Sequence, residues 1–200
     1  SHPTMEAFED SLAYCHARVG DTLKVAVAVD GSKVSKKALD LGIALANKER
    51  HPDEATLDLL HVTMDQNAPI FLSPEHIEKE CELRMTKLNV NVTSKFHVLA
   101  KPEGQSVTQV LAAESESQKV DLLVVGATGL KLEQGEVHAD SFAVMGQTAD
   151  GSLHRSDVSV AIVKATSYEM DGELGAMTFL VATDHSPSAT LAFALCVSKL

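Results

Sequence analysis

Lys24-Val25-Ala26-Val27-Ala28-Val29-Asp30-Gly31-Ser32 is the stretch that decides the fold. An apolar run with almost no polar interruption fits a strand covered on both faces, which is a central strand of a parallel sheet. Asp30-Gly31 closes it in a turn. Beyond the turn, Val34, Ala38, Leu41 and Leu45 recur at helical spacing, while Lys36, Lys37 and Asp40 fall on the other side. A helix is therefore predicted directly after the strand.

Outward from this unit the alternation continues. Thr56 to Thr63, with Leu57, Leu59, Leu60 and Val62, reads as a second strand. Ser73-Pro74 then supplies an N-cap and a first-turn proline to a charged helix with Ile77, Cys81, Met85 and Leu88 as its buried stripe. Lys95 to Ala100 is a third strand, and Ser106-Val107-Thr108-Gln109 is a capping-box start for a helix that turns Val107, Val110 and Leu111 inward. Val120 to Val125 ends in Gly126 as a fourth strand, and Val158 to Val163 makes a fifth. Between them, Gly146 to His154 reads as a short helix, in which Gly151 costs about 1 kcal/mol relative to alanine. Strands that alternate with helices in this way place the chain in the α/β class.

The 200 residues carry 17 basic and 28 acidic side chains, a net charge of −11. Such a field opposes attraction to phosphate backbones or anionic lipid, so no nucleic-acid or membrane partner is expected. The apolar runs fall far short of the roughly 18 to 20 residues that span a bilayer. Three widely spaced cysteines, Cys15, Cys81 and Cys196, make neither a disulfide framework nor a zinc pattern. A reducing, cytoplasmic setting is the expectation.

One internal repeat stands out. Phe179-Leu180-Val181-Ala182-Thr183-Asp184-His185-Ser186 repeats the opening strand in kind, with the aspartates 154 positions apart (184 − 30). The domains expected are an extension at 1–22, an α/β domain at 23–165, a linker at 166–176 rich in small and polar residues, and the incomplete start of a second copy at 177–200. Ser198-Lys199-Leu200 matches a peroxisomal import address when it stands at an exposed terminus. The repeat aligns it instead with Ala44-Leu45-Ala46, inside a helix, which favours a truncated second domain.

In an open parallel sheet, ligands collect beyond the carboxyl ends of the strands where strand order reverses. The loops at issue hold Asp30-Gly31-Ser32 and Gly126-Ala127-Thr128-Gly129, with Gly146-Gln147-Thr148 opening the later helix. An aspartate at a strand end accepts hydrogen bonds from ribose hydroxyls or a base amine. Glycines let backbone N–H groups come close to phosphates, and a helix N-terminus favours anions. The plain alternatives are a structural Asp30 turn and an ordinary glycine loop. The nine histidines are dispersed, and no Walker A or Gly-x-Gly-x-x-Gly sequence occurs. No nucleophile with its base is visible, so neither catalytic nor metal-ligating residues are expected.

With Val-Asp-Gly-Ser ahead of an amphipathic helix, Leu59-Leu60-His61-Val62, and Val124-Val125-Gly126-Ala127-Thr128-Gly129 followed by Met145-Gly146, residues 22 to 165 resemble the universal stress protein family. The resemblance implies a five-stranded parallel sheet of order 3-2-1-4-5 with helices on both faces, in a Rossmann-like arrangement. It implies ATP or another adenine nucleotide as ligand, with or without Mg2+, held by Asp30, Gly31, Val62, Gly126, Gly129, Gly146, Gln147 and Thr148. It also implies a homodimer or an intramolecular tandem pair formed through the strand at 158–163, with Val158, Val160 and Ile162 as its exposed edge.

Two departures separate the chain from the ATP-binding pattern of that family. Sixteen residues rather than nine lie between Gly129 and Gly146, and Gln147 stands where a serine or threonine is usual. Two functions from different classes follow: a non-catalytic, nucleotide-sensing regulatory module, or an interaction module that has lost ATP because of the inserted loop and Gln147.

Overall fold

The computed structural model describes residues 23–47, 55–63, 69–90, 92–129 and 145–164. The N-terminal extension, most of the insertion after Gly129, the linker and the second repeat lie outside the described residues. In chain order the elements are β1 (Lys24–Ala28), α1 (Lys33–Asn47), β2 (Thr56–Thr63), a 3-10 turn (Ile70–Leu72), α2 (Pro74–Lys87), β3 (Thr93–Ala100), α3 (Val107–Ser117), β4 (Leu122–Gly126), α4 (Gln147–Arg155) and β5 (Ser159–Val163). All strands pair in parallel in the order β3-β2-β1-β4-β5. The α/β class and the 3-2-1-4-5 order are those expected from the sequence.

Both faces of β1 are sealed, which explains its unbroken apolar run. Val25 and Val27 point to one side with Leu57, Leu59 and Val124, where α1 adds Ala38, Leu39 and Ile43 and α2 adds Ile77 and Cys81. Ala26 points to the other, with Leu60, Leu123 and Val125 under Leu111 of α3 and Ala149 of α4. α1 lies so close to the sheet that a β-carbon on Gly42 would stand 2.3 Å from Cγ2 of Val27. Gly151 has a similar reason, since its β-carbon would meet Thr108 Oγ1 of α3 at 2.8 Å. The helix propensity lost there accompanies close contact between two helices.

Several local expectations change. Asp40, assigned by spacing to the polar side of α1, is only 5% exposed and takes a two-pronged ion pair from the Arg84 guanidinium of α2. Arg84 therefore serves the contact between helices, and Glu80 pairs with Lys36 at 2.9 Å. Val158, Val160 and Ile162 are half-buried, packed on the core beneath α3 and α4, where an exposed edge was expected. The period-2 pleat explains this, because alternate residues of the terminal strand still face a covered side of the sheet. Cys81 is buried as expected. Burial, followed by the adjacent Glu80 carboxylate, pushes its thiol up to about 12.

Candidate functional site

The ladder between β1 and β2 runs Val27 beside Leu59 and Ala28 beside Leu60, and it continues with the Val29 N–H donating to the Leu60 carbonyl at 2.9 Å. Carrying that register two residues further sets Val62 level with Asp30. On the other flank β1 pairs with β4, whose end leads into Gly126-Ala127-Thr128-Gly129. β1 is thus the strand from which neighbours on its two sides are reached by opposite crossovers. A crevice at its carboxyl end is the position where open α/β sheets bind ligands.

Asp30 is fixed there by short-range hydrogen bonds. Its Oδ1 accepts from the Ser32 N–H at 3.0 Å, an Asx turn. Gly31 makes the bend with φ +81, a backbone conformation that side chains disfavour. Ser32 caps α1, its Oγ accepting from the Ser35 N–H at 3.1 Å. The two serines went unassigned in the sequence reading, although the Ser32-x-x-Ser35 spacing at a helix start is a legible capping signal. His61, at the end of β2, is structural. Its Nδ1 lies 2.9 Å from the Val29 carbonyl, which can only accept, so Nδ1 carries the proton. The ring stacks on Phe96.

The loop after β4 approaches Asp30. A β-carbon on Gly129 would stand 2.9 Å from Asp30 Oδ2, so a side chain there would make the carboxylate or the loop shift. Gly146 joins from the far side of the insertion, its N–H donating to the Ala127 carbonyl at 2.7 Å. Ala127 N–H in turn donates to Val163 at the end of β5, also at 2.7 Å. Gly146 is the N-cap of α4, with no side-chain cap bond. Gln147 is exposed and Thr148 half-buried on the first turn.

The structure therefore brings Asp30, Gly31, Gly126, Gly129 and Gly146 to one end of the sheet, with Val62 at the same level on β2 and Gln147 and Thr148 on the adjoining helix start. Chemically, this end offers a carboxylate for hydroxyl or amine donors and a glycine-lined backbone for an anion. No group of three or more His, Cys, Asp or Glu able to hold a metal occurs among the described residues. Nor is any described helix long and apolar enough to cross a membrane.

The model of the universal stress protein family matches residues 22–164. Among individual relatives, the universal stress protein YxiE of Bacillus subtilis (strain 168) is 28% identical, over 54% of this chain and 80% of the relative. A universal stress protein solved in complex with cAMP is 23% identical, covering 72% of this chain and 98% of that one, with a TM-score of 0.52. The universal stress protein UspA from Lactobacillus plantarum is 18% identical, covering 71% and 97%, with a TM-score of 0.50. At these identities the two solved structures testify to the fold.

Proposed function

The chain belongs to the universal stress protein family, and from that premise we propose that the crevice at the β1–β4 junction binds an adenine nucleotide, ATP in particular, as a non-catalytic regulatory signal. The observation that carries this reading is the approach of Gly129 to the Asp30 carboxylate, with Gly146 hydrogen-bonded to Ala127 beside them. The sixteen-residue spacing thus leaves the two glycine segments in contact. In this reading Asp30 and Val62 face the adenosine, and the backbone at Gly126, Gly129 and Gly146 faces the phosphates. Gln147 stands in for the usual hydroxyl residue, with Thr148 beside it. Losing one hydrogen bond to a charged phosphate weakens binding about ten- to a hundredfold, so the replacement tunes affinity without abolishing it. Mg2+ would accompany the triphosphate. The cAMP complex of a distant relative supports nucleotide chemistry at this fold.

The test is calorimetric titration of the nucleotide-stripped chain with Mg-ATP, ADP, AMP and cAMP, beside Asp30→Ala. Saturable binding, weakened in the variant and strongest for ATP, is expected. A folded protein that takes none of the four overturns the proposal and favours the second reading, an interaction module. That reading draws on β5, which pairs with β4 on one side and is the last strand of the described sheet. Homodimer or tandem pairing would run along 158–163, and sedimentation of a homodimer would then report about twice the mass of one chain.

A further inference from the structure

A second polar site lies at the opposite end of the sheet, independent of the nucleotide reading. Lys24, Thr56, Asp58, Thr93, Lys95 and Gln118 line an open cavity of about 110 Å³. The register explains how they meet. Lys24 of β1 pairs with Thr56 and Thr56 with Thr93, while Asp58 pairs with Lys95 one pleat further on. All five therefore share one face of the sheet. Gln118, the C-cap of α3, adds its amide from the side.

The charges are unusual for a chain of net −11. Asp58 is 8% exposed, and its Oδ1 accepts from His97 Nε2 at 2.8 Å. Its Oδ2 has no partner among the described residues, and Asp58 lines the cavity. The Lys24 and Lys95 ammonium groups pair with no carboxylate among the described residues, and the Thr56 and Thr93 hydroxyls make no hydrogen bond there. The other nearby acids are engaged, Asp121 by the Lys24 N–H at 2.9 Å and Glu114 by the Gln118 amide at 2.9 Å. The α3 carbonyls at this end are also capped, by N–H groups of Gln118, Lys119 and Val120.

The geometry points to a site for hydrogen phosphate. Two ammonium groups, two hydroxyls and an amide N–H donate to the phosphate oxygens, while Asp58 Oδ2, the one charged acceptor, accepts a hydrogen bond from the remaining P–O–H. A fully deprotonated oxyanion would leave that buried carboxylate facing another anion, which is costly. The site thus selects an oxyanion that still carries a proton, and rejects sulfate, which has none near neutrality.

Titration of the 15N-labelled chain at pH 8 with inorganic phosphate, sulfate and methyl phosphate, followed by amide shifts, tests this. Phosphate is expected to move the amides of Lys24, Thr56, Thr93 and Lys95 with saturation, and sulfate to bind at least about tenfold more weakly. Methyl phosphate, with a second pKa near 6, has lost its proton at this pH and should behave as sulfate does. Lys95→Gln, on the exposed rim, should weaken phosphate about tenfold while the shifts at Gly126–Gly129 stay as they were. Asp58→Asn should erase the preference over sulfate. Equal binding of the three anions, a response confined to the β1–β4 crevice, or no response overturns the proposal. Should Asp58→Asn fail to fold, the comparison of anions on the unmodified chain decides by itself.

Discussion

At the carboxyl ends of β1 and β4 the chemistry is carried mostly by main chain: one carboxylate, Asp30, beside a loop in which a β-carbon on Gly129 would come within 2.9 Å of it. At the amino ends of β1, β2 and β3 it is carried by side chains standing in register on a pleated face, with the Asp58–His97 pair as their buried floor. The difference shows two ways in which one parallel sheet makes polar sites. A backbone site depends on local turns and glycines at fixed places in the chain. A side-chain site depends on register between strands that lie far apart in sequence, here from Lys24 to Lys95.

The largest expected effect breaks what the two ends share. Arg84→Ala strands the Asp40 carboxylate between α1 and α2, and leaving a buried charge unpaired should cost about 3 kcal/mol in urea unfolding. Nearly as large, Gly129→Val should weaken nucleotide binding at least about a hundredfold, about 2.8 kcal/mol, with unfolding almost unchanged. Were it to unfold the protein instead, the crevice would be a structural contact and the contrast between the ends would fail.

Gly42→Ala comes next. Overpacking against Val27 should cost about 2 kcal/mol, of which the gain in helix propensity returns about 1. Chemical denaturation measures the remainder, and the affinities at both ends should hold. Near neutral pH the smallest effect concerns Cys81. Its thiol sits at about 12 in the folded chain against an ordinary 9.0, so the unfolded state loses this proton first as pH rises. The contribution of Cys81 to stability is whole below pH 9 and falls toward pH 12, by at most about 1.4 kcal/mol per pH unit. Mass mapping after alkylation at pH 8 should find the Cys81 peptide labelled only in denaturant.

The meeting of the carboxyl-end loops was legible because their residues follow their strands directly, Asp30 after β1 and Gly126 to Gly129 after β4. Capping was legible for the same reason, and Ser73 accepts from the His76 N–H as its place before Pro74 implies. The ion pair of Asp40 and Arg84, 44 positions apart, was not. Spacing along α1 set Asp40 on the polar side, and only the path of α2 across that side turned it into a buried partner. Likewise Val160 looks free in the sequence because a strand's period cannot say what covers each of its faces.

By itself the sequence determined the alternation of strands and helices, the central place of β1, the turn at Asp30-Gly31 and the glycine loop after β4. These rest on local propensity, hydrophobic period and backbone sterics, which act over a few residues. Only the tertiary structure decided that Gly146 returns to Ala127 across eighteen intervening residues, that Asp40 finds Arg84, and that Lys24, Asp58 and Lys95 share a cavity. Those meetings depend on strand register and helix placement, which are fixed by burying the whole apolar surface at once, and no short stretch of chain contains that information.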